Sequence, residues 1–162
     1  MGNRHYGFIL ISDEKWWRRL CERVEDPHKV YAFVRRGQVG PVNAKKLLFY
    51  VKRPVMQIQG TSDFVERIAG NYQKLWERYG HETCLKSYKE YIDFLRGNSK
   101  ATFIRFTNFH KLEIPVSLEL LKRILGFSVM PRGGKYIYKE DMSQIAAEGC
   151  IAHGKVRPQR IC

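Results

Sequence analysis

The sequence predicts an α+β fold in which helices decorate a small mixed or barrel-like β-sheet. Five or six short strand-type segments follow one another closely, and the amphipathic helices between them do not alternate regularly with the strands. This order disfavours a doubly wound parallel sheet. The chain has 162 residues and 44% hydrophobic content, which is enough to bury one core and predicts a single domain.

The N-terminal half of the chain contains most of the predicted strands. An apolar run at residues 6–11 predicts the first of them. This run ends at Ser12, a residue type that caps helices, and the apolar residues of 13–24 recur on one helical face. A break in the strand pattern is predicted at residues 60–62. The other strands of this half are predicted at residues 30–34, 47–51, 55–59 and 64–68.

Residues 71–97 are predicted to insert two amphipathic helices into the sheet. Aromatic and aliphatic side chains recur at helical spacing in both helices, which predicts that these side chains face the core. The two stripes consist of Tyr72, Leu75, Trp76 and Tyr79, and of Tyr88, Tyr91, Ile92 and Leu95.

The segment after the insertion predicts further strands and one helix. Ser117 and Gly126 have the side-chain types of a helix N-cap and C-cap, so a short helix is expected between them. The strands are predicted at residues 101–107 and 111–114, and a hairpin over 127–138 would turn at residues 132–134.

The domain is expected to span residues 1–147, with the helical insertion at about 71–97. Residues 148–162 are Gly-containing, basic and weakly apolar. A segment of this kind predicts a loose C-terminal tail.

Positive charge is concentrated in two stretches of the chain, whose net charge is +13. Residues 15–53 carry eleven Lys and Arg against three acidic residues, and residues 100–139 carry eight against two. The intervening residues 62–99 carry six of each and are neutral. Because a local excess of positive charge forms a surface for polyanions, this distribution predicts nucleic-acid binding.

Cations from both stretches are the candidate phosphate ligands. Several of them flank a Gly- and Pro-containing loop, where side chains can reach a backbone of phosphates. Asn108 follows the strand that contains Arg105 and is a candidate for reading a base edge. The predicted nucleic-acid-binding residues are Arg35, Arg36, Lys45, Lys46, Lys52, Arg53, Arg105, Asn108 and Arg132.

Trp16 and Trp17 are neighbours on the first predicted helix. Adjacent helical residues point about 100° apart, so the two rings are not expected to be equally buried. One ring is expected to fill the core while the other forms a wall on which a base stacks; the alternative is that both pack beneath the helix.

Metal, cofactor and membrane functions find little support in the sequence. The four cysteines are far apart without a C-x-x-C pair, and the five histidines are dispersed. The sequence contains neither a Walker-type phosphate loop nor a G-x-S-x-G nucleophile elbow. We therefore predict no metal site and no cofactor. With no membrane-length apolar run and no secretory signal pattern, a cytoplasmic protein without membrane binding is expected.

Catalysis is an open alternative to nucleic-acid binding. General acid–base chemistry needs only a few well-placed polar groups. The candidates for such a site are Lys45, Lys46, Thr61, Asp63 and Glu66.

The order of parts along the chain carries a family resemblance. Tyr-Gly-Phe-Ile-Leu-Ile ends at Ser12, Asp-Glu-Lys-Trp-Trp opens the helix, and Val-Tyr-Ala-Phe, Leu-Leu-Phe-Tyr-Val-Lys and Val-Met-Gln-Ile-Gln-Gly follow as strands. This order resembles the PUA-like superfamily, nearest to its EVE, YTH and ASCH branches and to an uncharacterised archaeal family of predicted RNA-binding proteins. The resemblance covers residues 6–68 and 101–138.

The resemblance implies a pseudo-barrel that holds a modified or flipped base in an aromatic pocket. By their positions, Ser12, Trp17 and Tyr31 match the pocket residues of the EVE and YTH branches, and Lys52 matches a position near the pocket mouth. Tyr31 stands where these domains often have tryptophan, and the insertion at 71–97 is longer than the family pattern.

The ASCH branch also includes hydrolases and nucleases with a Lys/Thr/Glu type of site. Lys45, Thr61 and Glu66 are the residues of this chain that could match it. The Gly-x-Lys-x-Thr string typical of that site is absent from the sequence.

Together these observations predict an RNA-binding protein whose partner is tRNA or rRNA; no catalytic residues are assigned, and both catalysis and oligomeric state are left open. Bases would stack on Trp17 and Tyr31. The first alternative is an ASCH-like enzyme acting on RNA or a modified nucleoside. The second is a protein-interaction module that docks partners on the aromatic helices at 71–95.

Overall fold

The computed structural model describes residues 6–152, with side chains through residue 147. Six strands and five α-helices make up this part of the chain. In chain order they are β1 (Gly7–Ser12), α1 (Glu14–Arg23), β2 (Tyr31–Arg36), β3 (Lys46–Val51), β4 (Gln57–Asn71), α2 (Tyr72–Tyr79), a 3₁₀ turn (Gly80–Glu82), α3 (Tyr88–Leu95), β5 (Lys100–Ser117), α4 (Leu118–Leu125), β6 (Lys135–Ile137) and α5 (Lys139–Ala152).

All six strands belong to one mixed sheet, in the order β2-β5-β4-β3-β1-β6. β1 runs parallel to β3, and every other pairing is antiparallel. The edge strands β2 and β6 do not pair with each other, so the sheet formed by residues 6–152 is not a closed barrel. The predicted α+β class, with helices decorating a mixed sheet, is confirmed.

The two long strands β4 and β5 differ from the prediction of several short ones. The predicted break at residues 60–62 is wrong, because β4 runs without interruption through this segment. Its pairing with β5 shifts register between Ile58 and Gly60, between Thr61 and Asp63 and again shortly afterwards. Bulges of this kind bend a strand and accommodate turn-type residues inside it.

The predicted hairpin at 127–138 is also wrong. Only Lys135–Ile137 forms a strand, and it pairs with Gly7–Ile9 of β1 instead of with its own neighbour. The turn before it closes through the N–H of Gly134, which donates to the carbonyl oxygen of Pro131 at 3.1 Å. Gly134 has a φ of 90°, a conformation that glycine adopts without a steric penalty.

Helix α5 has no counterpart among the predicted elements, because its apolar residues do not recur at helical spacing. Met142 and Ile145 pack onto the core cluster shared with α4. The helix continues to Ala152, past the predicted domain end at residue 147. The rest of the predicted loose tail, residues 153–162, lies outside the described residues.

The helical insertion packs its aromatic side chains against the sheet, as predicted. Tyr91 is fully buried, and the ring of Trp76 stacks on it with centroids 4.7 Å apart. Leu75, Leu95 and Phe103 of β5 belong to the same core cluster. Tyr88 differs from the other stripe residues because it is 40% exposed, so a docking role for this helical face stays a prediction.

Helix α1 covers a second core cluster on the sheet. Trp17 and Leu20 are its buried residues, and they pack with Phe49 of β3. None of the helices within residues 6–152 is both long enough and apolar enough to cross a bilayer.

Candidate nucleic-acid interface

A cavity of 440 Å³ lies between α1, β2 and the helical insertion. This volume is within the usual range of small-ligand sites. β2 lines it with residues 32–36, and the insertion contributes residues 83–85 and Phe94. The other lining residues are Ile11, Ser12 and Asp13 at the end of β1, Trp16 and Leu20 on α1, Lys52 after β3, and Arg132 before β6.

Three partly buried aromatic rings, those of Trp16, Phe33 and Phe94, line the cavity. Trp16 and Phe94 meet edge to face, with ring centroids 5.5 Å apart. Partly buried aromatic rings in a cavity provide faces on which a planar ligand can stack. The aromatic residues that line this cavity differ from the predicted pair, Trp17 and Tyr31.

Trp17 and Tyr31, the predicted stacking residues, are both sealed in the core. Trp17 is 5% exposed and packs against Phe49 and Phe109, with ring centroids 5.6 and 5.5 Å away. Tyr31 is 2% exposed and packs on Phe106. Neither ring can stack on a base in this structure. Trp16 lines the cavity instead, because the face of α1 that contains Trp17 packs against the core.

Ser12 and Lys52 both line the cavity. The Ser12 hydroxyl, which is buried, donates to the carbonyl oxygen of Asp13 at 3.0 Å. Asp13 is the N-cap residue of α1, but its carboxylate caps no backbone N–H and instead pairs with Lys52 at 2.8 Å. Since both side chains of this pair are more than half exposed, a ligand can displace the contact at little cost.

Four cations and a single acid line the cavity. The cations are Arg35, Arg36, Lys52 and Arg132, and the acid is Asp13. The cations come from both positively charged stretches of the sequence, since Arg132 belongs to the second. The structure therefore brings part of each stretch to one concave surface.

Arg35 is the most informative of these cations. Its guanidinium lies 5.5 Å from the centroid of the Phe33 ring, and among residues 6–147 it has no hydrogen bond or ion pair. Burial lowers the pKa of Arg35, and the nearby charge of Arg36 adds to this effect while that of Asp13 opposes it. A buried cation without a hydrogen-bonded partner is costly, so this site favours an anionic ligand.

Arg36 is held from one side only. Its Nε donates to the carbonyl oxygen of Phe94, and its guanidinium carbon lies 4.5 Å from the centroid of that ring. The two terminal nitrogens have no partner within the described residues, so they can still donate to a ligand. Arg132 is exposed, and no described side chain pairs with it.

Arg105 does not take part in the cavity, in contrast to its predicted phosphate contact. Its guanidinium donates two hydrogen bonds to Glu82, from Nε at 2.8 Å and from Nη2 at 2.7 Å, and a third to Glu66. These bonds raise the pKa of Arg105. Because its donors are occupied by carboxylates, Arg105 ties the insertion to the sheet and has little left for a phosphate.

Lys46 and Asn108 also lie outside the cavity, in a cluster around Asp63. Lys46 forms an ion pair with Asp63, and the Asn108 amide donates to the same carboxylate at 2.8 Å. The other end of Asn108 contacts Nδ1 of His28 at 3.2 Å. Burial would raise the pKa of Asp63, but the hydrogen bonds from Asn108 and Lys46 outweigh it and lower this pKa. The cluster ties β3, β4 and β5 to the loop before β2.

Lys45 and Arg53 are exposed and do not line the cavity. Arg53 directly follows Lys52, so it extends the positive charge of the cavity rim along the β3–β4 turn. These two residues remain predictions as phosphate contacts.

The residues of the catalytic alternative do not assemble into one open site. Thr61 is buried and donates to the carbonyl oxygen of Leu47 at 3.0 Å. Glu66 is engaged by Arg105, and Lys45 is exposed. Within residues 6–152, no group of three or more His, Cys, Asp or Glu side chains is placed to hold a metal ion.

Cys84, which the sequence did not single out, lines the cavity beside Trp16. Burial raises the pKa of its thiol to about 11, although Arg19 opposes this effect. The side chain is therefore a neutral thiol near neutral pH. The sequence contains a signal for Phe94 as a cavity residue, because this aromatic lies outside the apolar stripe of α3. Nothing in the sequence marks Thr83 or Cys84 as cavity residues.

Comparison with solved structures places this fold. ASCH from Zymomonas mobilis superposes with a TM-score of 0.68 and 24% identity, over 88% of this chain and 94% of that one. A serine-to-alanine mutant of the same protein gives a TM-score of 0.72 and 22% identity, over 90% and 98% of the two chains. The chain has the fold of these ASCH structures. No protein-family model and no curated protein matches the sequence.

The ASCH fold agrees with the resemblance predicted from the sequence. A tyrosine-to-phenylalanine mutant of the Zymomonas mobilis protein superposes as well, with a TM-score of 0.70 and 23% identity over 87% of this chain. At this level of sequence identity, the superpositions show the fold alone. The chemistry of the cavity has to be argued from its own residues.

Proposed function

We propose that this protein binds RNA and holds one extruded or modified nucleotide in the cavity beside α1. One observation carries the proposal: aromatic rings and three cations without carboxylate partners among the described residues line the same cavity. Nucleic acid is the ligand class that combines planar bases with phosphates. The ASCH fold, which is generally associated with RNA binding, supports the same ligand class.

The division of work follows from the positions of the side chains. Trp16, Phe33 and Phe94 would stack on the base, since their rings line the cavity. Arg35 and Arg36 would bind the phosphate of the same nucleotide through their planar donor forks. Neighbouring phosphates would then follow the exposed cations Lys45, Lys52, Arg53 and Arg132.

The partner proposed here is a structured cytoplasmic RNA such as tRNA or rRNA. Sequence-specific RNA recognition usually targets unstacked bases in loops, bulges and ends, which a cavity of single-nucleotide size can accept. The combination of aromatic rings and arginines in the lining supports binding as the function of the cavity.

Substitution of Trp16 by leucine tests the proposal. We expect RNA affinity to fall by on the order of 1–3 kcal/mol, because a stacking face is lost. The measurement is fluorescence anisotropy with labelled single-stranded RNA and with tRNA, over a series of salt concentrations. Tyr88→Leu is the matched control, since Tyr88 is an aromatic of the insertion that is 40% exposed and does not line the cavity.

Two results would contradict the proposal. One is equal loss of affinity in the Trp16 and Tyr88 variants, which would place the RNA elsewhere. The other is binding that does not weaken with salt, because neutralisation of phosphates by Lys and Arg always makes affinity salt-dependent. Circular dichroism of both variants ensures that a loss of fold is not read as a loss of binding.

A further inference from the structure

Resting on the proposed RNA binding, we infer that the cavity selects a nucleotide that ends in a phosphomonoester. The source of such a nucleotide is either the phosphorylated end of an RNA strand or a free nucleoside monophosphate. Both have the same chemistry, a base for the aromatic wall and a terminal phosphate for the arginines, and the experiment below separates them.

The charge inside the cavity is the first argument. Lys52 is compensated by Asp13, at 2.8 Å, and Asp13 is the only acidic residue of the lining. Arg35, Arg36 and Arg132 have no carboxylate partner among the described residues. A phosphodiester within a strand carries one negative charge, whereas a monoester carries about −1.5 to −2 near pH 7. The monoester therefore neutralises more of the positive charge that lines the cavity.

The burial of Arg35 is the second argument. Strand β2, at the edge of the sheet, fixes its backbone by pairing with Thr102 of β5, and its guanidinium lies against the Phe33 ring. Burial lowers the pKa of Arg35, because desolvation disfavours the charged guanidinium. A partly desolvated guanidinium offers two parallel donors to two oxygens of one phosphate, and such bidentate contacts are the strong ones.

The enclosure of the cavity is the third argument. α1, β2, the loop at residues 83–85 and Phe94 of α3 bound it on several sides. An internal nucleotide must have the strand both enter and leave through the mouth, whereas a terminal nucleotide needs only one strand to enter. Arg36 lines the same cavity and is held by the hydrogen bond from its Nε to the carbonyl oxygen of Phe94.

The test compares three forms of one labelled RNA decamer, with a 5′-phosphate, with a 3′-phosphate and with hydroxyls at both ends. We expect one phosphorylated form to bind about ten-fold more tightly than the dihydroxyl form, since hydrogen bonds to a charged group contribute about 1.5–3 kcal/mol. Arg35→Gln should abolish this preference. Arg132→Gln, a change at an exposed residue that does not threaten the fold, should reduce it.

Lys89→Gln is the control for loss of one positive charge. Lys89 is exposed on α3, pairs with Asp93 at 3.2 Å and does not line the cavity, so the preference should persist in this variant. Competition with nucleoside monophosphates and with the corresponding nucleosides separates the two sources. If nucleoside monophosphates displace the decamer and nucleosides do not, the free nucleotide suffices. If phosphorylated RNA displaces the decamer and nucleoside monophosphates do not, the strand is required.

Equal affinity of the wild-type protein for all three decamers would overturn this inference and leave RNA binding intact. A preference that survives in Arg35→Gln and Arg132→Gln would overturn it as well, because the phosphate would then bind elsewhere. Failure to bind any of the decamers or tRNA would contradict the proposed function itself, so the two failures are distinguishable.

Discussion

Replacement of Arg105 by methionine is expected to lower the free energy of unfolding by about 3 kcal/mol, close to the value for breaking a buried ion pair. Arg105 donates two hydrogen bonds to Glu82, whose side chain is 8% exposed. Methionine fills a similar volume but leaves the Glu82 carboxylate buried without its partner. Chemical denaturation followed by circular dichroism measures the change.

Arg18→Met is the matched control for the Arg105 variant. Arg18 pairs with Glu14 at 3.0 Å, but its side chain is 69% exposed, so this substitution should cost less than about 1 kcal/mol. The double variant Arg105→Met with Glu82→Gln should recover part of the loss, because the buried charge is then removed. Equal stability of the Arg105 and Arg18 variants would show that the predicted anchor between insertion and sheet does not exist.

Gly134→Ala is the second substitution with a large expected effect, a loss of about 2–3 kcal/mol of stability. A Cβ at this position would lie 2.4 Å from the carbonyl oxygen of Ile9 and 2.6 Å from the Phe8 ring. The φ of 90° adds strain for any residue with a side chain. Since the turn carries Arg132 to the cavity, RNA affinity should fall as well.

Gly133→Ala tests the same turn without the same constraint. No heavy atom lies within 4 Å of a Cβ built at Gly133, so its stability should stay within about 0.5 kcal/mol of wild type. Thermal unfolding of the two variants side by side is sufficient. Similar melting temperatures for both would show that the close approach of Gly134 to β1 does not constrain the turn.

Helices with local signals could be predicted from the sequence. The Ser117 hydroxyl accepts from the N–H of Leu120 at 3.2 Å, and Gly126 ends the helix in the left-handed conformation, as the residue types indicate. The stripes of the insertion faced the core for the same local reason. Helix α5 lacks a periodic apolar stripe, so its formation depends on packing against α4 and could not be predicted.

Strand continuity is a property of pairs of strands and not of one segment. The residues at 60–62 have turn character, yet β4 continues through them because β3 and β5 pair with it on both sides. Likewise, β6 pairs with β1, which is distant in sequence. Local patterns contain no information on such partners.

In the candidate site, too, local patterns were predictable and partners distant in sequence were not. Cations from both basic stretches were candidate phosphate ligands, and of the predicted site residues Ser12, Arg35, Arg36, Lys52 and Arg132 line the cavity. Trp17 was assigned to the base pocket but lies in the core. Its spacing with Leu20, Cys21 and Val24 forms a complete helical stripe, which already indicated a buried position. Arg105 could not be separated from the other cations, because its partner Glu82 is brought to it by the fold of the insertion.

The central claim is that RNA occupies the cavity between α1, β2 and the insertion. Photo-crosslinking of bound RNA followed by peptide mapping tests it most directly, because aromatic rings that stack on a base are in contact with it. We predict crosslinks on the peptides that contain Trp16, Phe33 or Phe94, and their loss in the presence of a competing RNA. Crosslinks confined to peptides of α4, α5 or the Asp63 cluster would contradict the claim.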